Sequence, residues 1–159
     1  MQYQIIPMRS DFLKKVRRLG LDDQGQAGEF LKAVGGEPCR DVLRRAKAGE
    51  TLILASYCPL TNTGPYKEYG PVFILANESD ELVDYSSLPL PIGEDTDYLG
   101  DTFVFKAYCE NERILDAILS SPVDAESDLA GLLSNKAVSF VMARYAAYGC
   151  YSFCVERIT

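Results

Sequence analysis

The sequence predicts a single α+β domain over residues 1–159, with a mainly antiparallel β-sheet and a few helices packed against it. After residue 40, most apolar segments come in successive pairs joined by short polar connections, which is typical of β-hairpins. Only one segment in that region has a clear helical spacing of apolar residues. A chain of 159 residues with 47% hydrophobic and 25% charged residues has the composition of one folded globular domain.

The N-terminal part of the chain predicts a short strand followed by a helix. Residues 2–6 (QYQII) form the strand, and Pro7 ends it. Ser10 is predicted to cap a helix that ends at Gly20. Four apolar residues share one side of this helix: Phe12, Leu13, Val16 and Leu19. The following segment, LDDQGQAGEFLKAVGGEP, is ambiguous, because its helical spacing is weakened by four glycines.

From Cys39 onward the pattern indicates β-structure. The segments CRDVLRR and TLILASY are predicted strands, joined by the glycine-containing connection AKAGE into a hairpin. TLILASY and the later VFILA are apolar on both faces, which suits interior strands covered on both sides.

The C-terminal half predicts a second hairpin, a helix and two closing strands. TFVFKAYC and RILDAILSS pair around residues 110–112, and a helix then starts at Ser121-Pro122 or Asp124. The predicted buried face of that helix carries Ala125, Leu129, Leu132 and Leu133. AVSFVMA and CYSFCVERI are the closing strands, joined by RYAAYG. Regular alternation would place Tyr151, Phe153 and Val155 on one side of the last strand.

Charge and hydropathy narrow the classes of partner. The net charge is -7, from 16 basic and 23 acidic side chains, and it disfavours binding to nucleic acid or to an anionic membrane surface. The basic residues at positions 14, 15, 17 and 18 are interpreted as a solvated helix face. No apolar run reaches the roughly 20 residues that span a bilayer, and the N-terminus lacks the pattern of a signal peptide. We therefore expect a cytoplasmic protein that binds neither nucleic acid nor membrane.

The chain contains no histidine and five cysteines, which excludes several kinds of site. Ser-His-Asp and Cys-His catalytic arrangements and histidine-containing zinc sites are impossible. The odd and irregularly spaced cysteines argue against both a disulfide framework and a four-cysteine zinc site, so free thiols are expected. The segment from Asp95 begins like a calcium loop, but Lys106 stands where a bidentate glutamate is required. We expect no metal and no cofactor.

The loop TNTGPYKEYGPVFI, residues 61–74, is the most distinctive connection in the chain. Pro59, Pro65 and Pro71 bracket a connection between strands that end near Tyr57 and restart at Val72, and its length is one at which connections often carry function. Tyr66 and Tyr69 sit at its bends. Their rings either pack the loop onto the sheet or form an amphipathic rim with the hydroxyls toward a ligand.

Several segments together resemble a bacterial family known as domain of unknown function 1203. The resemblance runs from about Leu21 to Arg157 and rests on LDDQGQ, EPCRDVLRRAKAGETLILASY, GPYKEYGPVFILA, FVFKAYCENERIL and ARYAAYGCYSFCVER. The resemblance implies a fold related to that of the family and candidate positions for a functional site, but it implies no reaction. Similar proteins often have a histidine where this chain has Leu75. They often have HxRN where this chain reads MARY, residues 142–145. Any metal or proton-transfer role of those histidines is therefore absent from this chain.

The remaining candidates for chemistry are arginines, tyrosines and cysteines. Arginine offers a planar fork of donors for carboxylate or phosphate, tyrosine hydroxyls can complete such a site, and a cysteine beside an arginine can be reactive. The candidate ligand-binding residues are Cys39, Arg40, Tyr57, Tyr66, Arg144 and Cys150. The same residues also suit structural ion pairs and inert core thiols.

These residues support two classes of function. The first is a module that binds a small ligand or a protein partner without catalysis, with a homodimer left open. The second is an enzyme acting on a small anionic substrate, with arginine for binding and cysteine or tyrosine for chemistry. In the predicted hairpin, Arg40 and Tyr57 reach one sheet edge, where the loop with Tyr66 starts. If the strand end at Arg144 coincides with that edge, two guanidiniums and two phenols surround a cleft for an anion.

Overall fold

The computed structural model describes residues 1–91 and 97–159, which form two helices and ten strands. The aspartate at position 95, where the calcium-like segment begins, lies outside the described residues. The elements in chain order are β1 Tyr3–Ile6, α1 Ser10–Leu19, β2 Glu29–Lys32, β3 Pro38–Cys39, β4 Arg44–Arg45, β5 Thr51–Tyr57, β6 Gly70–Leu75, β7 Phe103–Tyr108, β8 Ile114–Ser120, α2 Ala125–Ser134, β9 Phe140–Tyr145 and β10 Tyr151–Arg157. The predicted α+β class with mainly antiparallel strands is confirmed.

The first sheet has the strand order β1-β10-β9-β7-β8, and all of its neighbouring strands are antiparallel. The predicted hairpin of β7 and β8 and the two closing strands are therefore confirmed. Helix α2 also lies where it was predicted. It packs Leu129 and Leu133 into the cluster that contains Phe103 and Phe105 of β7. Its apolar spacing follows the helical period, and burial of these side chains holds it on the sheet.

The second sheet has the order β2-β5-β6-β3-β4. Strand β5 pairs with β2 on one edge and with β6 on the other, so Ile53 lies between Phe30 and Ile74. The predicted hairpin of CRDVLRR with TLILASY is wrong, because both edges of β5 are already occupied. Instead, β3 and β4 form a two-residue pair that joins β6 by a single parallel contact, Cys39 with Phe73. The ambiguous segment 21–38 supplies β2, and its helical spacing does not correspond to a helix.

A turn replaces the middle of the predicted CRDVLRR strand. Residues 40–43 form this turn, with Leu43 at a φ of 52°. Asp41 leaves the strand path to bind Arg17 of α1 at 2.7 Å, and its other carboxylate oxygen accepts from the backbone N–H of Leu75 at 3.2 Å. This buried pair fixes α1 to β6 and prevents Asp41 from continuing a strand.

Helix α1 begins one residue earlier than predicted, at the residue that was expected to cap it. Ser10 is its first helical residue, and Arg9 stands at the cap position without a side-chain capping bond. The predicted end is correct: Gly20 has a φ of 70°, a left-handed conformation that glycine adopts at little cost. The buried face carries Phe12 and Val16, whereas Leu19 is exposed.

The main contact between the sheets is an apolar cluster that α1 completes. Tyr108, Met142 and Tyr151 of the first sheet meet Ile53 and Ile74 of the second sheet in this cluster. The prediction that Tyr151 shares a side with Phe153 and Val155 is wrong. A bulge shifts the register between Tyr151 and Phe153, so Tyr151 faces the second sheet while Phe153 faces α2.

No helix within the described ranges 1–91 and 97–159 is long and apolar enough to cross a membrane.

The segment LDDQGQ forms a loop that is organised by one buried carboxylate. Asp22 accepts hydrogen bonds from the backbone N–H groups of Gln24 and Gln26 at 2.9 Å and of Ser56 at 3.2 Å. The first two bonds close the loop, and the third attaches it to β5. Asp22 is only 3% exposed, so these donors have little access to water as a replacement acceptor.

Replacing Asp22 by alanine is expected to lower the free energy of unfolding by about 2–3 kcal/mol, because it leaves buried N–H groups without acceptors. Urea unfolding followed by far-UV circular dichroism measures this change in a chain that has no tryptophan. Asp80→Ala is the matched control, since it removes the same charge at an exposed position. Equal losses in the two variants would contradict the structural role of Asp22.

Candidate functional site

A groove of about 480 Å³ lies where β3 and β4 meet the connection between β9 and β10. We call it the Arg40 groove. The residues that line it are Gly35, Gly36, Glu37, Pro38, Arg40, Arg45, Leu54, Pro71, Phe73, Tyr145, Tyr148 and Cys150. Both sheets contribute to its walls, so the groove depends on how the two sheets are joined.

Arg40 is the most buried charged residue of this groove, with 3% of its surface exposed. Its Nε donates to the Tyr151 carbonyl at 2.9 Å, and its Nη1 donates to the Pro38 carbonyl at 2.8 Å. Its Nη2 contacts the Cys150 Sγ at 3.2 Å, and the guanidinium lies over the Tyr145 ring at 5.2 Å. Among the described residues, no carboxylate forms a salt bridge with Arg40. The charge is thus buried against neutral partners.

Arg45 brings a second guanidinium to the same ring. Its Nε donates to the Asp97 carbonyl at 2.6 Å, and its terminal nitrogens donate to the carbonyls of Gly36 and Tyr98. The guanidinium lies 6.0 Å from the centre of the Tyr145 ring. The Tyr145 hydroxyl donates to the Tyr98 carbonyl at 3.0 Å, and burial raises the pKa of this phenol. The ring therefore stays neutral while it contacts two cations.

Part of the groove lining is an apolar surface. Leu54 of β5 and the residues Pro71 and Phe73 of β6 provide it. Tyr148 stands at the rim in the connection between β9 and β10, with 90% of its surface exposed. A groove that has both a buried guanidinium and an apolar surface suits a molecule that has an anionic group and an apolar body.

A second cavity, of about 180 Å³, adjoins the groove. We call it the Arg144 pocket. It shares Pro71, Tyr148 and Cys150 with the groove. Arg144, which is 7% exposed, donates from Nη1 to the Gly149 carbonyl at 3.1 Å and forms an ion pair with Glu68. Glu68 contacts Nη2, and Nε has no hydrogen-bond partner among the described residues.

The structure brings most of the sequence-predicted site residues together. Arg40 and Cys150 meet in the groove, and Arg144, Tyr57 and Cys150 line the adjoining pocket. Cys39, which belongs to β3, lines neither cavity, because its side chain is fully buried in a cluster with Leu52 and Leu75. What these residues bind stays a prediction.

Tyr66 lies apart from the two arginines, contrary to the predicted cleft. It lines a separate groove with Asn111, Glu112 and Arg113. The cause is local: a turn closed by the Lys67 N–H on the Gly64 carbonyl holds Tyr66 away, and Glu112 holds the start of the loop. Glu68, two residues later in the same loop, reaches Arg144 instead.

Sequence reasoning missed Arg45, Tyr145 and Tyr148. The segment RYAAYG is aromatic and basic, and this composition is the signal in the sequence for Tyr145 and Tyr148. The sequence around Arg45 gives no comparable signal, because Arg45 reaches the groove only through the β3–β4 pair, which was not predicted.

No cluster of three or more cysteine, aspartate or glutamate residues within the described part of the chain is arranged to hold a metal ion. The absence of a metal remains a prediction.

The five cysteines are free thiols that differ in their access to solvent. Cys39 is fully buried, and this burial raises the pKa of its thiol to about 12. Cys150 is partly exposed in the wall of the groove. The two thiols therefore differ in the access that an alkylating reagent has to them.

At pH 8 the folded protein is expected to react with iodoacetamide at Cys150 and not at Cys39. With a pKa of about 12, only about one Cys39 thiol in ten thousand is ionised at that pH, and the thiolate appears only as the pH approaches 12. Peptide mass spectrometry measures the two rates, and Cys150→Ser identifies the Cys150 adduct. Labelling of Cys39 as fast as Cys150 would show that the second sheet opens readily.

The comparisons with known proteins give one result. No curated protein and no solved structure matches the chain. The model of the family described as "Protein of unknown function (DUF1203)" matches residues 36–157, well over half of the chain. The match includes Arg40, Arg144 and Cys150, and it agrees with the resemblance found in the sequence. The chain belongs to the DUF1203 family.

Proposed function

We propose that the protein binds a small organic anion in the Arg40 groove. The observation that carries this proposal is the burial of the Arg40 guanidinium, 3% exposed, without a carboxylate partner among the described residues. Burying a charge is costly, and hydrogen bonds from neutral groups lower this cost without cancelling the charge. Its neutral partners supply only hydrogen bonds and ring contact, so an anion in the groove completes the compensation.

Arg40 also has donors left for a ligand. A guanidinium has five N–H donors. Nε, Nη1 and Nη2 each use one of them on a protein acceptor, which leaves one N–H on each terminal nitrogen. Two N–H groups on one planar fork are the arrangement that binds both oxygens of a carboxylate or phosphate.

The shape of the groove indicates the rest of the ligand. Leu54, Pro71 and Phe73 provide apolar surface in the same groove as Arg40 and Arg45. A molecule with one anionic group and a flat or aliphatic body fits this division. The concave site and the net charge of -7 favour a small molecule over a nucleic acid. Five free thiols suit a reducing compartment, so we place the protein in the cytoplasm.

A second function, catalysis on the same anion, is favoured by one observation. The Cys150 Sγ lies in the groove, 3.2 Å from Arg40 Nη2, so its sulfur is within reach of a ligand that Arg40 binds. A cysteine nucleophile also needs a group that takes its proton, and the chain has no histidine. Binding without catalysis is therefore the better-supported function.

Carboxylates are expected to raise the melting temperature of the protein, whereas their uncharged amides are not. Suitable probes are benzoate and hexanoate against benzamide and hexanamide, with phenyl phosphate and inorganic phosphate as further anions. The pairs differ in charge and hardly in shape, so they isolate the contribution of the guanidiniums. Thermal shift identifies the binders, and calorimetry measures their affinities.

Arg40→Gln is expected to weaken binding of the best carboxylate by about tenfold or more, since it removes a charge-assisted bidentate contact. Arg18→Gln is the matched control, because it removes the same charge at an exposed position of α1. If Arg40→Gln does not fold, Tyr148→Ala tests the same groove, since the exposed Tyr148 at its rim is not needed for the core. Unchanged affinity in these groove variants, or equal losses in the control, would contradict the proposal.

A further inference from the structure

We propose that the Arg40 groove and the Arg144 pocket form one bipartite site for an organic molecule with an anionic group at each end. Glu68 occupies the second anion position until the ligand displaces it. This inference rests on the proposed function, because it takes Arg40 as the first anion position and adds Arg144 as the second.

The two cavities share three lining residues, and their guanidiniums lie close together. Pro71, Tyr148 and Cys150 line both cavities. Arg40 Nη2 contacts the Cys150 Sγ at 3.2 Å, and Arg144 Nη1 donates to the Gly149 carbonyl at 3.1 Å. These two contacts fall on adjacent residues, so the terminal nitrogens lie within about 12 Å of each other, given standard bond lengths. A small dianion can span that distance.

The Arg144–Glu68 pair is asymmetric in a way that permits exchange. The Arg144 side chain is 9% exposed, whereas the Glu68 side chain is 52% exposed. Glu68 therefore regains most of its hydration when it leaves, while Arg144 is left buried and needs another anion. A ligand carboxylate offers Arg144 the same kind of oxygen acceptor as the Glu68 carboxylate.

The contact that Glu68 makes is incomplete as well as exposed. Arg144 Nε has no hydrogen-bond partner among the described residues, and Glu68 reaches only Nη2. A ligand carboxylate free to choose its orientation can bind both nitrogens, because Nε and a terminal nitrogen form one side of the guanidinium fork. Glu68 lies in the coil between β5 and β6, so its departure breaks no strand pairing.

The residues between the two guanidiniums define the middle of the ligand. Pro71 and Tyr148 offer apolar surface there, and Cys150 adds a weakly polar thiol. An aliphatic or aromatic linker therefore suits this stretch better than a strongly hydrated one. The ligand class is an organic dicarboxylate, or its phosphate equivalent, with an apolar body.

A length series of dicarboxylates tests the inference. Calorimetry at constant ionic strength compares α,ω-dicarboxylates from four to ten carbons with monocarboxylates of the same lengths. We expect one preferred length, at which the dicarboxylate binds about tenfold more tightly than its monocarboxylate, because it gains a second charge-assisted contact. Absence of all carboxylate binding overturns the proposed function itself. Binding of both series with no dicarboxylate advantage overturns only the bipartite site.

Variants of the second position test the displacement of Glu68. Glu68→Gln is expected to raise dicarboxylate affinity about threefold or more, because the competing carboxylate is gone. Glu78→Gln is the matched control, since it removes the same charge from another exposed coil residue and leaves the affinity unchanged. Arg144→Gln is expected to lower the affinity of the dicarboxylate to that of its monocarboxylate. If that variant does not fold, equal affinities in Glu68→Gln and Glu78→Gln suffice to overturn the inference.

Discussion

The burial of the Arg40 guanidinium is the interaction on which the candidate site depends. Arg40 follows β3 of the second sheet, and its Nε donates to the Tyr151 carbonyl in β10 of the first sheet. The same group lies over the Tyr145 ring at the end of β9. One charged side chain thus joins the two sheets, and the groove is the space around it. A cation placed at such a junction is held rigidly and is poorly hydrated, which are the two conditions for strong recognition of an anion.

The bulge in β10 makes this junction possible. In a regular strand Tyr151 and Phe153 would face the same side, and the first sheet would offer no aromatic side chain to the second sheet at this position. The register shift turns Tyr151 into the cluster between the sheets, where its ring lies 5.2 Å from that of Tyr57. The extra residue in β10 therefore changes the sheet face on which the Tyr151 side chain lies. Bulges commonly occur beside functional sites because they redirect a side chain in this way.

The parts of the fold that were predictable are those whose partners are close in sequence. The β7–β8 hairpin and helix α2 follow from local alternation and helical spacing, and both lie where predicted. The β3–β4 pair was not predictable, because each of its strands is only two residues long. The pair also lies in sequence between β2 and β5, and these two strands pair with each other across it. Arg40, Arg144 and Cys150 were selected as residue types that suit anion chemistry. Their proximity depends on pairing between strands that are distant in sequence. Tyr66 was expected beside them because CRDVLRR and TLILASY were predicted to form a hairpin, and that hairpin does not form.

The overall charge of the protein decides what kind of anion site this can be. A net charge of -7 repels anions at long range, so electrostatic steering does not deliver a ligand to the groove. Affinity must then come from contacts inside the groove, where burial weakens the screening of Arg40 and Arg144 by solvent and salt. On the function proposed above, such a site would reject polyanions, which carry most of their charge outside the groove and meet the negative surface. It would accept small anions whose entire charge enters the cavity, and the apolar lining near Arg40 would then select among them by shape.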